Sequence, residues 1–343
     1  MIYLDHAAKT PPLPCAVDAF LAAPFGNPSS EHAVGQDARD ALELSREKIA
    51  MLMDCDPHEL YFTSTATEAA ALAIHSVNMA GYDVFPSNFE HHAISENISN
   101  YQYHHACSAR MLANNETGEI LCPGTPLYKA DNILWLCDAT SAVGHVPISF
   151  KNLGCDYLLF DGIKFGSVPG AAALVAKTGA PISPLIRGGG QERGMRSGTE
   201  NVPAICSMAE ALEWQAEHMQ MNSFKLSSLL DEMRIELSKI DGIQWNTPFD
   251  RPHLPHILNI SFDGVDAHAL ALLLSKDGVM VSPGAACSNG KNEPSHVIMA
   301  MFHDEARARS AIRISLSHQN TIDECVIAAE KIKNAVEYLR SLF

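Results

Sequence analysis

Short apolar runs at 110–113, 133–137, 157–160 and 171–175, each flanked by turn residues, limit this chain's fold more than any other feature. Runs this short and this apolar read as strands buried in a mainly parallel sheet. Helical stretches alternate with them: 16–23, 32–52, an Ala-rich stretch at 68–79 and a long amphipathic one at 203–240. Strand–helix alternation predicts an α/β domain. After Asp241-Gly242 the pattern changes to strands at 257–262 and 311–316, with helices at 267–276, 293–301 and 322–342. That reads as a smaller α+β unit. The expected division is a large domain over 14–240 and a small α+β domain over 1–13 and 241–343.

Bulk properties narrow the setting. Charged residues make up 19% and apolar residues 47% of the 343, as in an ordinary globular protein. A formal net charge of -16 argues against nucleic acid or an anionic membrane as a general partner. The start, Met1-Ile2-Tyr3-Leu4-Asp5-His6, has no secretory pattern, and no run of about 18 apolar residues appears. The nine cysteines are scattered, with no CxxC pair and no metal-ligand spacing. The expectation is a cytoplasmic protein with free thiols.

Several strand ends carry chemistry. Glu59-Leu60-Tyr61-Phe62-Thr63 reads as a short strand that runs through Ser64-Thr65 into Ala66-Thr67-Glu68 and a helix. A strand, a small polar turn and a helix N-terminus suit an anion, because free N–H groups and the helix dipole both favour negative charge. Many such turns hold nothing. Asp138 ends one apolar run, at the edge where α/β sheets bind ligands. Lys164 lies just past another, where a desolvated amine forms Schiff bases with carbonyl cofactors. A strand-end Asp and Lys are the pair that pyridoxal phosphate needs: the Lys holds the aldehyde and the Asp keeps the pyridine nitrogen protonated. Each charge alone also reads as a solvated loop residue. His91 suits ring stacking and proton transfer, or is one of a surface pair with His92. The 187–201 segment combines glycines, arginines and hydroxyls in a way that suits an anion. Arg313 is a charge within an apolar strand and calls for an anionic partner, such as a substrate carboxylate held bidentately.

Cys287 sits in Ser282-Pro283-Gly284-Ala285-Ala286-Cys287-Ser288-Asn289-Gly290, the composition of a mobile surface loop rather than of a core. A thiol there is suited to attack and then carry a group away. A free loop cysteine without a role has the same composition.

These residues together resemble the cysteine desulfurases of the class V aminotransferase group, pyridoxal-phosphate enzymes of fold type I. The resemblance covers nearly the whole chain. It is carried by Tyr3-Leu4-Asp5-His6-Ala7-Ala8, Phe25-Gly26-Asn27-Pro28-Ser29-Ser30, Ala66-Thr67-Glu68, Glu90-His91, Asn114-Asn115-Glu116, Asp138-Ala139-Thr140, Lys164, the 187–201 segment, Cys287 and Glu293-Pro294-Ser295-His296. It implies a large domain built on a mainly parallel seven-stranded sheet and a smaller α+β domain carrying the Cys loop. It implies that Lys164 would form the Schiff base, His91 would stack on the ring and Asp138 would pair with its nitrogen. Asn115 would lie near the ring hydroxyl and the substrate. Ala66 and Ser141 stand at cofactor-contact positions. Thr67 would bind phosphate within its own chain, and Thr199 from the partner chain of a homodimer. Arg313 would hold the carboxylate of L-cysteine. Cys287 would take the sulfur as a persulfide, release alanine and pass the sulfur to an acceptor protein, as in the long-loop type.

The chain departs from that pattern around the cofactor phosphate. Asp161 and Ile163 stand where relatives carry Ser and His, Ser141 replaces a Gln, and Lys9 replaces a Thr. A carboxylate beside a phosphate is repulsive if both stay ionised. The segment between His91 and Asn114 is short, and the chain stops soon after its last helix. A working desulfurase with a modified phosphate cup is one reading. A degenerate homologue serving as a non-catalytic scaffold or binding subunit is the alternative.

Overall fold

The structure, a computed structural model, describes residues 1–98, 105–121, 133–284 and 293–342. Its strands are β1 (Ile2–Tyr3), β2 (Leu60–Thr63), β3 (Tyr82–Pro86), β4 (His105–Met111), β5 (Ile133–Asp138), β6 (Tyr157–Asp161), β7 (Ala172–Ala176), β8 (Ile243–Trp245), β9 (Ile257–Phe262), β10 (Val279–Met280), β11 (Ser282–Pro283) and β12 (Ala311–Ser315). Its α-helices are α1 (Pro14–Ala22), α2 (Ala33–Met53), α3 (Ala66–Met79), α4 (His92–Ser95), α5 (Phe150–Leu153), α6 (Val202–Leu237), α7 (Ala267–Lys276), α8 (His296–Phe302), α9 (Glu305–Arg309) and α10 (Ile322–Arg340). The chain divides into two compact units, one of residues 11–112 and 122–218, the other of 1–10, 113–121 and 219–343. This division passes through α6, between 218 and 219. The second half of α6 buries Leu226, Leu229, Leu230, Met233 and Leu237 in the core of the second unit.

The first unit is built on a sheet of order β2-β7-β6-β5-β4-β3. Among the described residues it has six strands, where the resemblance implied seven. β3, β4, β5 and β6 pair in parallel, while β7 is antiparallel to both of its neighbours. Five strands therefore run one way and β7 runs against them. β6 and β7 are buried along their whole length, as expected of strands covered on both faces. β3 was not legible as an apolar run, and of β4 only its end, Arg110 and Met111, falls in the run read at 110–113. β3 carries Asp83 and Pro86, and β4 alternates small and polar residues through Ser108 and Arg110. α3 packs Ala69, Leu72, Ala73, Ile74 and Val77 against this sheet, in a cluster with Val84, Leu159 and Leu174.

The second unit holds an antiparallel sheet of order β11-β12-β9-β8 and a parallel pair, β1 with β10. Period-two alternation divides the β9–β12 ribbon into two faces. Ile312 and Ile314 pair with Ile260 and Leu258, and all four join the apolar core with Leu270 of α7 and Ile332 of α10. Arg313 pairs with Asn259, and Ala311 with Ser261, on the opposite and more polar face.

Candidate active site

In the first unit, the five co-directional strands end at one edge, and the segments that follow them carry the candidate residues. β2 leads to Thr65 and Ala66, β3 to Glu90 and His91, β5 ends on Asp138, and β6 ends on Asp161 before the turn with Lys164. This is the edge at which open α/β sheets bind ligands. Asp138 is buried, and its Oδ1 accepts from the Thr140 N–H at 2.9 Å. The Thr140 hydroxyl beside it is buried and has no hydrogen-bond partner among the described residues. Ser141 is half-buried in the same turn.

His91 caps α4: its Nδ1 accepts from the Ala93 N–H at 3.0 Å. With Nδ1 an acceptor, the proton of the neutral ring sits on Nε2. Its neighbour Glu90 is 3% exposed, and Glu90 Oε1 accepts from the Ser87 hydroxyl at 2.6 Å and the Met111 N–H at 2.9 Å. Burial, reinforced by the charge of Asp138, pushes the Glu90 carboxyl up to about 7 against those two bonds. Sequence reasoning gave Glu90 no role of its own; a carboxylate directly after Asn88-Phe89 carries no local signature.

Lys164 closes a single 3-10 turn, Gly162–Lys164, and is half-buried. A Cβ on Gly162 would lie 2.8 Å from Ser167 Cβ, so the turn leaves no room for a side chain there. Asp161 opens this turn and is 4% exposed. Its Oδ1 accepts from the Ile163 N–H at 3.2 Å, and its Oδ2 from the Ala66 N–H at 2.9 Å, at the first residue of α3. Burial raises its pKa, the two backbone donors and Lys164 lower it, and Asp138 raises it. The position that sequence reasoning feared for its charge is thus seated on the helix N-terminus expected to hold an anion.

The rest of that helix end is also occupied. Thr65, rather than Thr67, is the cap: its hydroxyl accepts from the Glu68 N–H at 3.2 Å. Glu68 Oε2 accepts from the Ser64 N–H at 2.9 Å. Thr67 is exposed on the first turn. In the 187–201 segment, Arg196 pairs with Glu68 at 2.6 Å and donates to the Ser64 hydroxyl at 2.7 Å. Arg193 donates to Leu60 O at 2.6 Å and lies over the Tyr61 ring. These two arginines are therefore engaged by the chain itself. Glu192, buried and at φ 49°, binds Arg46 at 2.7 Å and the Phe62 N–H at 2.8 Å. Thr199 is exposed in the same segment.

In the second unit, Arg313 is 2% exposed and ion-paired with Asp5, Nη2 to Oδ1, at 2.9 Å. Its Nη1 donates to the Asn115 carbonyl at 2.8 Å. Its Nε is buried without a hydrogen-bond partner among the described residues, a donor left for a ligand. Ser295, of the Glu293-Pro294-Ser295 motif, donates to Glu116 Oε2 at 2.5 Å. Cys287 lies outside the described residues.

The chain matches the family model of the class-V aminotransferases over residues 2–123 and 109–326. It is 33% identical to the IscS-like cysteine desulfurase of Mycobacterium tuberculosis over 391 aligned positions, covering 99% of this chain and 97% of that protein. It is 31% identical to the cysteine desulfurase IscS of Methanosarcina thermophila, covering 99% and 93%. Among solved structures it superposes on a NifS-like protein with TM-score 0.88 at 29% identity, covering 98% of this chain and 99% of that one. It superposes on the NifS-like protein of Rickettsia africae with TM-score 0.84 at 28% identity, covering 99% of each.

The fold is that of a pyridoxal-phosphate enzyme of fold type I. The chain belongs to the class-V aminotransferase family, within its cysteine desulfurases. The donor set fits the cofactor at its ring end: a primary amine at Lys164, a buried carboxylate at Asp138 and an unengaged hydroxyl at Thr140. At the phosphate end, one of the first-turn donors of α3 is already taken by Asp161.

Proposed function

We propose that this chain moves sulfur from L-cysteine to Cys287 and on to an acceptor protein, with pyridoxal phosphate carried on Lys164. The observation that best supports the assignment is the gathering of Asp138, the Lys164 turn and His91 at one sheet edge. When bound, the cofactor supplies an aldehyde that captures the substrate amine and a ring that withdraws electrons from it. Asp138 holds positive charge at the ring nitrogen, and its orientation is fixed by the Thr140 N–H. His91, fixed through Nδ1 by α4, uses its other nitrogen to stack and to move protons. Arg313 holds the substrate carboxylate, aided by Asn115. The Cys287 thiolate attacks the substrate sulfur; the C–S bond breaks, an S–S bond forms, and alanine leaves with the added proton. Thr67 and Ala66 bind phosphate, Ser141 lines the cofactor, and Thr199 reaches the site of the second copy in a homodimer. Among the described residues no helix is long and apolar enough to cross a membrane. The scattered thiols and net charge of -16 support a cytoplasmic enzyme that binds no nucleic acid directly.

The test is a purified sample incubated with pyridoxal phosphate and L-cysteine. Wild type is expected to show the visible Schiff-base band and to form alanine and sulfide one for one in the presence of a reductant. Cys287→Ala keeps the band and loses sulfide release, while Lys164→Ala loses both. Full sulfide release from Cys287→Ala would overturn the role of that thiol.

A further inference from the structure

We propose that Asp161 is a specificity determinant toward the cofactor's 5′-phosphate. Its carboxylate is a built-in anion occupying the N-terminal turn of α3, and a phosphorylated cofactor binds by displacing it from the Ala66 N–H. This rests on the reading that pyridoxal phosphate binds at Lys164.

The geometry is that of an occupied anion subsite. Asp161 is 4% exposed, with Oδ2 2.9 Å from the Ala66 nitrogen and Oδ1 3.2 Å from the Ile163 nitrogen. Of the other first-turn donors, the Glu68 N–H goes to the Thr65 hydroxyl and the Ala69 N–H to the Thr65 carbonyl. Among the described residues no acceptor is found for the Thr67 N–H, which would serve an incoming group. A helix N-terminus carries roughly half a positive charge, enough for one carboxylate but not for a carboxylate and a phosphate dianion together. Of the cations on this side, Arg196 is paired with Glu68, and Lys164 lowers the Asp161 pKa while Asp138 raises it. Unphosphorylated pyridoxal brings a neutral hydroxymethyl group to the same place. It leaves Asp161 on its donors and donates to the carboxylate. The subsite therefore compresses the usual advantage of the phosphate.

The experiment titrates the apoprotein separately with pyridoxal phosphate and with pyridoxal, following the Schiff-base absorbance, and separately with inorganic phosphate, following the thermal midpoint. Asp161→Asn keeps the shape and removes the charge; Asp161→Ser shortens the side chain as well. Both variants are expected to bind pyridoxal phosphate about tenfold or more tightly than wild type, one screened charge pair being removed. Pyridoxal affinity should change much less, and phosphate should raise the midpoint of the variants more than that of wild type. The proposal is overturned if both variants bind pyridoxal phosphate no better than wild type, or if the two cofactors gain equally. It is also overturned if phosphate stabilises wild type as much as the variants. If neither aldehyde gives a band with any of the proteins, the cofactor reading fails, and the phosphate arm still decides the role of Asp161.

Discussion

Two sites, one in each unit, treat charge in opposite ways. In the second, a buried cation is matched by a half-buried carboxylate: Arg313 pairs with Asp5 at 2.9 Å. In the first, Asp138, Asp161 and Glu90 all end near one sheet edge, and the hydrogen bonds found for their carboxylates come from backbone N–H groups and a serine hydroxyl. Exchanging Asp5 for a substrate carboxylate leaves the charge at Arg313 unchanged. Bringing a phosphate to α3 would add charge where Asp161, whose pKa is raised by burial and then by Asp138, already sits on the Ala66 N–H. On the proposed roles, the two sites would therefore differ in what a ligand must do on arrival: replace like with like, or expel a resident.

The largest effect expected from this comparison is at Arg313. Arg313→Ala should raise the KM for L-cysteine by about 100-fold, the range of a lost charge-assisted pair. Arg313→Lys should recover little, because an ammonium lacks the guanidinium fork. The fold should lose about 2 kcal/mol, less than for a fully enclosed pair, since the Asp5 side chain is 21% exposed. An unchanged KM in both variants would remove Arg313 from the substrate site. Steady-state kinetics and urea melts make the measurement.

Glu90 provides the next test. Its pKa is raised in the fold to about 7, so the native state binds this proton more tightly than the unfolded chain does. The associated stability is fully present below the ordinary glutamate value and is lost as pH rises through about 7, by at most ~3 kcal/mol. Glu90→Gln keeps an acceptor oxygen for Ser87 and Met111 and should flatten that decline. Urea midpoints of wild type and variant that run parallel through this pH window would show that Glu90 is ionised in the native state throughout.

A smaller shift is expected at Asp161, whose pKa is raised chiefly by burial. Protonation removes its charge, so the ratio of pyridoxal phosphate to pyridoxal affinity should grow as pH falls toward the Asp161 pKa. Asp161→Asn should abolish that part of the pH dependence. A ratio that follows the same pH curve in wild type and variant would assign it to the ligand alone. The smallest effect is expected of Lys239→Ala, which breaks an exposed pair with Glu236 and should cost under about 0.5 kcal/mol by urea melt. A larger loss there would mean that surface pairs, and not only buried ones, carry weight in this fold.

What was legible in the sequence followed its periodicity. α3, α7, β5, β6 and β9 fall within a residue or two of their expected places, because each is a clean apolar run or stripe bounded by turn residues. β3 escaped because Asp83 and Pro86 break the run, and of β4 only Arg110 and Met111 lay in the run read at 110–113, since Ser108 interrupts the rest. The second half of α6 looked continuous with the first, and a helical stripe does not say which core it faces.

The sequence by itself determined the class of fold, the family and the residue types at the site, since these rest on local runs and on motifs readable one segment at a time. It also exposed Asp161 as out of place. Only the tertiary structure decided what Asp161 does. Residues 66 and 161 are far apart along the chain, and the contact between them depends on β2 and β6 lying on either side of β7 and pointing the same way. A hydrogen bond depends on position within tenths of an ångström, and sequence spacing carries no such information across a sheet. The same holds for Asp5 and Arg313, an ion pair between the first strand region and the last.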